Sequence, residues 1–208
     1  PTWLRRQRQM CIRDRINSSV AVPLFNSGYQ LLISRALSSL TQTPMTVSSI
    51  SAHHWPAILQ LQAEAYAGTV EPESLDILQS KWHASPETCF VYLHEEKVAG
   101  YLLAHPLANA ELPKLHHHAA TTKVSHSPTL FIHDLAIAPL HIGKGIGALL
   151  LQQLLNTAHS INAQKVMLIS LKEAVAFWQK MGFVANNKPI SSDYGLGAKA
   201  MSYDFGSY

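Results

Sequence analysis

The feature that most constrains this fold is a strand, a glycine-rich turn and a helix in direct succession between Thr129 and Ser160. An apolar run from Leu130 to Ala138, interrupted only by His133 and Asp134, predicts a strand that is buried on both faces. Three glycines follow at alternate positions, Gly143, Gly145 and Gly147. From Ile146 onward, leucine and alanine recur at helical spacing, which predicts that a helix begins directly after the turn.

A glycine turn at the start of a helix favours a phosphate or a diphosphate as ligand. Because glycines carry no side chain, the backbone N–H groups can approach an anion closely at the positive end of the helix dipole. The same glycine spacing also fits a tight turn that binds nothing. The wider sequence has to decide between the two interpretations.

Two motifs resemble the GNAT superfamily of N-acetyltransferases. The family's acetyl-CoA loop, Gln/Arg-x-x-Gly-x-Gly/Ala, is similar to the run from Ile142 to Gly147 (IGKGIG), although Ile142 replaces the polar first residue. The family's helix and turn, Ala-x-x-Phe-Tyr-x-Lys-x-Gly-Phe, is similar to the run from Ala174 to Phe183 (AVAFWQKMGF). The resemblance implies an α/β chain with the GNAT (acyl-CoA N-acyltransferase) fold, a mixed, twisted sheet flanked by helices.

The resemblance also implies an enzyme that moves an acetyl group from acetyl-CoA, as co-substrate, to a primary amine of a small molecule or peptide. The amine attacks the thioester directly while both reactants are bound, and no metal takes part. The backbone at the glycine turn would hold the diphosphate, and main chain of the preceding strand would pair with the pantetheine arm and stabilise the thioester oxygen. The predicted cofactor-binding residues are Leu135, Ala136, Ile137, Ile142, Gly143, Lys144, Gly145, Ile146, Gly147, Phe177 and Lys180.

The residues that move protons do not carry over from the family. A Tyr that often protonates the leaving thiolate is replaced by Trp178, whose indole N–H cannot act as that acid. The Glu of the histone-modifying branch is replaced by Phe131. The predicted catalytic candidates are therefore His133, Asp134 and Tyr194, with His133 as a base that titrates near neutral pH. Strand alternation predicts that His133 and Asp134 point to opposite faces, so that only one meets the substrate. The alternative is that both residues are structural.

Other functions fit the glycine turn less well. A dinucleotide-binding fold needs an acidic residue about 20 positions further on, where the chain has Lys165, and it needs more βα units than the chain supplies. A Walker loop is excluded because no Ser or Thr follows Lys144. A non-catalytic sensor of acyl-CoA is the alternative from another class, and it is suggested by Ile142 and Trp178.

The remaining pattern predicts the order of elements. We expect a first strand just after Met45 and a last strand over Ala198–Phe205, and a helix over the apolar stripe from Ala174 to Met181 that ends at Gly182. Apolar periodicity predicts further helices, and alternation predicts further strands. The predicted helices are Trp55–Ala67, Pro72–Ala84 and Ile146–Ser160, and the predicted strands are Cys89–Leu93, Val98–His105 and Lys165–Ser170, the last parallel to the strand before the glycine turn.

The segment from Pro106 to Pro128 lacks periodicity and contains His116, His117 and His118. Adjacent side chains on extended backbone point in opposite directions and do not converge on one ion, so we predict an exposed polar loop rather than a metal site. The segment from Ile190 to Gly197 is expected to overhang the site.

Charge divides the chain into two parts. All six arginines lie in the first 35 residues, and residues 45–208 carry ten lysines against twelve acids, a net charge of −2. This balance does not favour nucleic acid as a partner. The run from Met10 to Arg15 (MCIRDR) resembles a translated sequencing adapter, so residues 1–44 are predicted to be an artefactual or disordered extension and 45–208 the acetyltransferase domain. Only two cysteines and no long apolar run predict a cytoplasmic protein without a membrane partner, and the resemblance suggests a homodimer.

Overall fold

We describe the protein from a computed structural model, in which residues 45–107, 111–119 and 128–206 are described. The expectation for residues 1–44 lies outside this part of the chain. Four helices and seven strands follow one another, together with several short 3-10 turns. The helices are α1 (Trp55–Tyr66), α2 (Leu75–Ala84), α3 (Ile146–Ser160) and α4 (Val175–Lys180). The strands are β1 (Met45–Ser49), β2 (Phe90–His94), β3 (Lys97–Pro106), β4 (Thr129–Ile137), β5 (Lys165–Ser170), β6 (Val184–Ala185) and β7 (Lys199–Asp204).

The seven strands form one mixed sheet in the order β1-β2-β3-β4-β5-β7-β6. Neighbouring strands are antiparallel except for β4 and β5, which are parallel and are joined through α3. A parallel pair needs a crossover connection, and the predicted strand, helix and strand supply it. The predicted hairpin of β2 and β3 and the predicted parallel pair are both confirmed.

Helices cover both faces of the sheet and enclose two apolar cores. On one face α3 and α4 pack over the central strands, with Leu150, Leu154 and Trp178 buried. On the other face α1 and α2 do so, with Ile58 and Leu78 buried. This two-sided cover explains why β4 is apolar along nearly its whole length.

Some element bounds differ from the prediction. The helix expected from Pro72 begins at Leu75, because Glu73 is buried in the loop before it. The two-residue strand β6 is too short to leave a periodic pattern. Gly182 follows the C-terminal end of α4 with a φ of +89°, as expected of a glycine at this position. Among the residues that the structure describes, none of the helices has the length and apolarity that a membrane crossing requires.

Candidate active site

The glycine turn presents an open backbone surface at the start of α3. Gly143 and Gly145 have φ angles of +80° and +79°, in the left-handed region that favours glycine. Apart from the chain neighbours, no described residue has an atom within 4 Å of a Cβ placed at either position, so this part of the chain leaves the turn uncovered. Gly145 precedes the first helical residue, Ile146, and no side chain caps the helix. The N–H groups of its first turn, which have no acceptor within the helix, are therefore available to an anion.

Gly147 has a different role from the other two glycines. A Cβ atom there would lie 3.2 Å from Cζ of Phe177 and 3.6 Å from Cδ2 of Leu135. The missing side chain therefore allows α3 to pack closely on α4 and β4. Phe177, predicted to bind the cofactor, is half-buried and packs against the core.

The remaining predicted cofactor residues lie around this turn. Lys144 is exposed in the turn itself and Ile142 is half-buried beside it, while Lys180 is exposed at the end of α4. Ile142 offers no polar group, so the only cationic side chain within the turn is that of Lys144.

Beyond their first residues, β4 and β5 separate. Their pairing ends at Ile132 and Leu168, although β4 continues to Ile137. Over Leu135, Ala136 and Ile137, β4 pairs only with β3. Among the strands that the structure describes, none lies along the other edge of this part of β4, so its main chain is open to an extended ligand apart from the hydrogen bond between Leu135 and the Tyr66 hydroxyl.

A β-bulge interrupts β4 at His133. Leu103 of β3 pairs with Asp134 and the next residue, Ala104, pairs with Ile132, so that His133 has no partner on β3. A bulge of this kind inserts one residue into one strand and re-aims the side chains that follow.

The bulge overturns the prediction that His133 and Asp134 face opposite sides of the sheet. Ile132 belongs to the core beneath α3, and Leu135, three positions further on, packs against the same core. Unbroken alternation would place these two residues on opposite faces. Because the alternation shifts by one at the bulge, His133 and Asp134 both line one cavity on the α1 side.

This cavity lies where β4 and β5 part and has a volume of about 60 Å³. It brings together residues from five parts of the chain, including the segment predicted to overhang the site, which contributes Tyr194. The lining residues are Gln62, Tyr66, Val70, Glu71, Glu73, Leu115, His133, Asp134, Ile169, Leu171 and Tyr194. The wall is thus partly apolar, with three carboxyl groups and one imidazole.

His133 forms a buried pair with Glu73. Its Nε2 lies 2.5 Å from Oε2 of Glu73, and the two side chains are only 2% and 3% exposed. Burial opposes ionisation of Glu73, but the hydrogen bond and charge of His133, the nearby Lys81 and the N–H of His116 together lower its pKa to about 2. Lys81 Nζ lies 3.9 Å from Oε1 of Glu73, and the His116 N–H donates to the same oxygen at 2.6 Å.

Asp134 is held by donors from two elements. The hydroxyl of Tyr66 on α1 donates to Oδ1, while the hydroxyl of Tyr101 and the amide of Gln62 donate to Oδ2 at 2.5 and 3.3 Å. Burial raises the pKa of Asp134, and the tyrosine hydrogen bonds partly oppose that shift. With both oxygens engaged, Asp134 ties α1 to the sheet.

Tyr194 closes the cavity from the segment before β7. Its hydroxyl donates to the carbonyl of Pro113 at 3.0 Å, which links it to the chain before His116. Burial raises the pKa of Tyr194, with the charges of Glu73 and Asp193 as further causes, so the phenol stays protonated at neutral pH. Trp178, in contrast, is 6% exposed in the core and stacks edge-to-face on Phe177 and Phe183.

Several residues of this site were missed by sequence reasoning. Glu73, Tyr66 and Lys81 lie 52 to 67 positions before His133, and only the fold brings them together. Ser74 was a usable signal, since serine is preferred at the residue before a helix and Glu73 then lies in the loop that precedes Leu75.

The histidine triplet does not converge. His116, His117 and His118 are exposed, and the ring of His118 faces Asp76 at 3.3 Å. The described part of the chain contains no group of three His, Cys, Asp or Glu side chains that could hold a metal ion.

Comparisons with known proteins identify the family of the chain. The model of the Acetyltransferase (GNAT) family matches residues 55–183, more than half of the chain. A search of the curated proteins returns no significant match.

Solved structures share the fold at low sequence identity. Ard1 from Thermoplasma volcanium has a TM-score of 0.60 at 18% identity, covering 78% of this chain and 99% of that one. The ribosomal-protein-S18-alanine N-acetyltransferase from Escherichia coli has a TM-score of 0.59 at 16% identity, covering 79% and 96%. Arabidopsis thaliana Naa50, solved with the bisubstrate analogue CoA-Ac-MVNAL, has a TM-score of 0.57 at 14% identity, covering 77% and 99%. The mixed sheet, its flanking helices and the family match together identify the chain as an acyltransferase that belongs to the GNAT acetyltransferase family.

Proposed function

We propose that this enzyme transfers an acetyl group from acetyl-CoA to a primary amine of a small molecule or peptide, by direct attack within a ternary complex. The observation that carries the proposal is the gap between β4 and β5. The gap lies between the glycine turn at the start of α3, on one side of the sheet, and the acidic cavity on the α1 side. A thioester lying in this gap would meet an amine bound in the cavity.

Backbone groups account for cofactor binding in this proposal. The N–H groups of Gly143, Gly145, Ile146 and Gly147 bind the diphosphate, and Lys144, whose own N–H donates to the carbonyl of His141 at 3.4 Å, adds positive charge. The unpaired edge from Leu135 to Ile137 pairs with the pantetheine arm as a further strand would. A main-chain N–H of that edge stabilises the thioester oxygen, which becomes partly anionic as the amine attacks.

The acceptor enters as an ammonium ion and has to lose a proton before it can attack. The carboxylates of Glu71 and Glu73 favour a cation in the cavity. His133 is the base of the proposal, because it lines the cavity and its Nδ1 has no hydrogen-bond partner among the described residues.

Tyr194 is the proposed acid. When the carbon–sulfur bond of the tetrahedral intermediate breaks, the electron pair stays on sulfur, and the phenol gives it a proton. The phenolate then takes the remaining extra proton from the new amide nitrogen. Asp134 orients this region through α1 and exchanges no proton.

The names of two of these solved structures mention a peptide or a protein substrate. One acetylates the alanine of a ribosomal protein, and another was solved with a peptide attached to CoA. A peptide amino terminus is therefore the first acceptor class to try, beside small primary amines.

The experiment is a thiol-release assay with acetyl-CoA against a panel of peptides and small amines. We expect turnover with at least one primary amine, and a decrease of about 10²- to 10⁴-fold for His133→Ala with acetyl-CoA affinity retained. Tight binding of acetyl-CoA without turnover on any amine would instead support the non-catalytic sensor, which the core position of Trp178 and the apolar Ile142 favour. An unchanged rate-versus-pH profile in His133→Ala would remove His133 as the base.

A further inference from the structure

The contact between His133 and Glu73 determines which nitrogen of the imidazole carries a proton. Both side chains are almost fully buried, and Nε2 of His133 lies 2.5 Å from Oε2 of Glu73. At this distance one of the two atoms has to donate a hydrogen bond.

Glu73 is ionised in this environment, so it can only accept. Lys81, 1% exposed on α2, places a positive charge 3.9 Å from Oε1. The N–H of His116 donates to the same oxygen at 2.6 Å. Together with His133 these groups lower the pKa of Glu73 to about 2, although burial alone would raise it. A carboxylate in this state has no proton to give.

The hydrogen between the two side chains therefore belongs to His133 Nε2. A neutral imidazole carries one N–H, and its other nitrogen is then an acceptor with a free lone pair. In this protein that nitrogen is Nδ1, which is buried and has no partner among the described residues. A buried acceptor without a partner costs free energy unless a ligand or water supplies a donor.

We infer that Glu73 is a positioning residue, which fixes His133 in the Nε2–H tautomer and so presents Nδ1 as the atom that takes the proton of the acceptor ammonium. This inference rests on the proposed function and names the atom and the partner that the base requires. Lys81 and the His116 N–H act on His133 indirectly, because they keep Glu73 ionised.

The proton of the ammonium passes to Nδ1 in a single transfer. The lone pair of Nδ1 forms an N–H bond while one N–H bond of the ammonium breaks and leaves its electron pair on the amine. His133 becomes an imidazolium ion, and the carboxylate of Glu73 stabilises it. The neutral amine attacks the thioester, and the imidazolium returns its proton to water before the next cycle.

Other titratable groups surround His133, and together with Glu73 they determine how the rate depends on pH. Tyr66 on α1, Glu71 after it, Asp134 on β4 and Tyr194 before β7 line the same cavity. The ring centroid of His105 on β3 lies 6.0 Å from that of His133, and Lys81 on α2 lies beside Glu73. His105 stays neutral and both tyrosines stay protonated at neutral pH, and Glu73 is the carboxylate in direct contact with His133.

The first test measures the tautomer directly and needs no turnover. Ring ¹⁵N spectra of histidine-labelled protein would be recorded, with the His133 signal identified by its loss in His133→Gln. We expect a protonated Nε2 and an unprotonated Nδ1 in the wild-type protein. A proton on Nδ1 would overturn the inference, whatever the enzyme's substrate proves to be.

The second test replaces Glu73. In Glu73→Gln the amide can donate to Nε2, so the imidazole proton is expected to shift to Nδ1, and kcat/KM for the amine to decrease by about 10²-fold or more. Glu73→Asp keeps a carboxylate and should retain the Nε2–H tautomer and recover part of the activity. Glu64→Gln, which removes the same charge from the exposed side of α1, is the matched control.

The outcomes separate the two proposals. An unchanged tautomer and an unchanged rate-versus-pH profile in Glu73→Gln would contradict the role of Glu73 while leaving acetyl transfer intact. A lack of turnover on every amine would contradict the proposed function, and the wild-type tautomer would still decide the inference.

Discussion

One inserted residue, His133, decides which side chains meet in the cavity. Without the bulge, Asp134 would point into the opposite core and only one of the pair would reach the α1 side. The bulge places the imidazole of His133 beside Asp134, whose two carboxylate oxygens both accept hydrogen bonds. Two adjacent polar residues can thus lie in one site and, in the proposed mechanism, have separate roles, one of them chemical and the other structural.

A second position shows how closely the strands pack next to the gap. A Cβ atom at Gly100 would lie 2.7 Å from Cδ1 of Ile137 and 3.2 Å from the carbonyl of Ala136. We expect Gly100→Ala to lower the free energy of unfolding by about 1 to 3 kcal/mol, measured by urea denaturation. Ile137→Val removes the closest atom, so the double variant should lose less than the sum of the two single changes. Strict additivity would show that the contact is not the cause.

At the scale of single residues, the sequence marks the glycine turn more clearly than the cavity. Gly143 and Gly145 are recognisable because only glycine adopts their φ angles without strain. Glu73 was not identified from the sequence, because it fell within the helix predicted from Pro72. Its partner His133 is 60 positions away. No local pattern marks such a pair, and a bulge leaves no periodic signal of its own.

Among the elements, β4 links the two halves of the site. Its first residues pair with β5, and its last residues pair only with β3. β4 is therefore paired along both edges at its start and along one edge at its end, among the described strands. The sequence predicted β4 as a buried strand, but not the point at which its neighbour leaves it.

The contact of α1 with β4 through Asp134 has a measurable consequence. Asp134→Ala would leave the buried hydroxyl groups of Tyr66 and Tyr101 without their acceptor, and each such loss costs about 1 to 3 kcal/mol. We expect thermal unfolding to show a loss of roughly 2 to 5 kcal/mol. Asp134→Asn keeps one acceptor oxygen and should lose less. If Asp134→Asn kept its stability but lost all turnover, Asp134 would be a catalytic group and not a structural one.

For the molecule as a whole, buried ionisable groups determine its response to acid. Burial, with a contribution from the charge of His133, lowers the pKa of His105 to about 3, against 6.5 as the reference. The unfolded chain therefore binds a proton at His105 that the folded protein does not. The stability from this group is fully present above about pH 6.5 and is lost as the pH falls towards 3, with a slope of up to about 1.4 kcal/mol per pH unit.

The test of this pH dependence uses His105→Phe, which keeps a ring beside Phe131. Its free energy of unfolding should depend less steeply on pH between about 4 and 6.5 than that of the wild-type protein. His159→Gln, at an exposed position on α3, is the control. Identical slopes for wild type and His105→Phe would contradict the assignment. The pKa of Glu73, about 2 against 4.5 as the reference, adds a further loss at lower pH.

The overall topology could be predicted from the sequence because the local sequence patterns agree with the fold as a whole. The glycine turn, the parallel crossover and the hairpin each have a pattern, and the structure contains all three. The convergence on one cavity of α1 with the segment after it, Leu115, β4, the end of β5 and the segment before β7 has no such pattern, because it depends on how five separate pieces pack.

The most direct test of the account is a titration with acetyl-CoA followed by backbone amide NMR. We predict that the amide signals of Gly145, Ile146 and Gly147 move furthest towards the positions of strongly hydrogen-bonded N–H groups. CoA without the acetyl group should produce the same change, since the diphosphate causes it. If acetyl-CoA binds while these amide signals stay in place, the glycine turn does not hold the diphosphate.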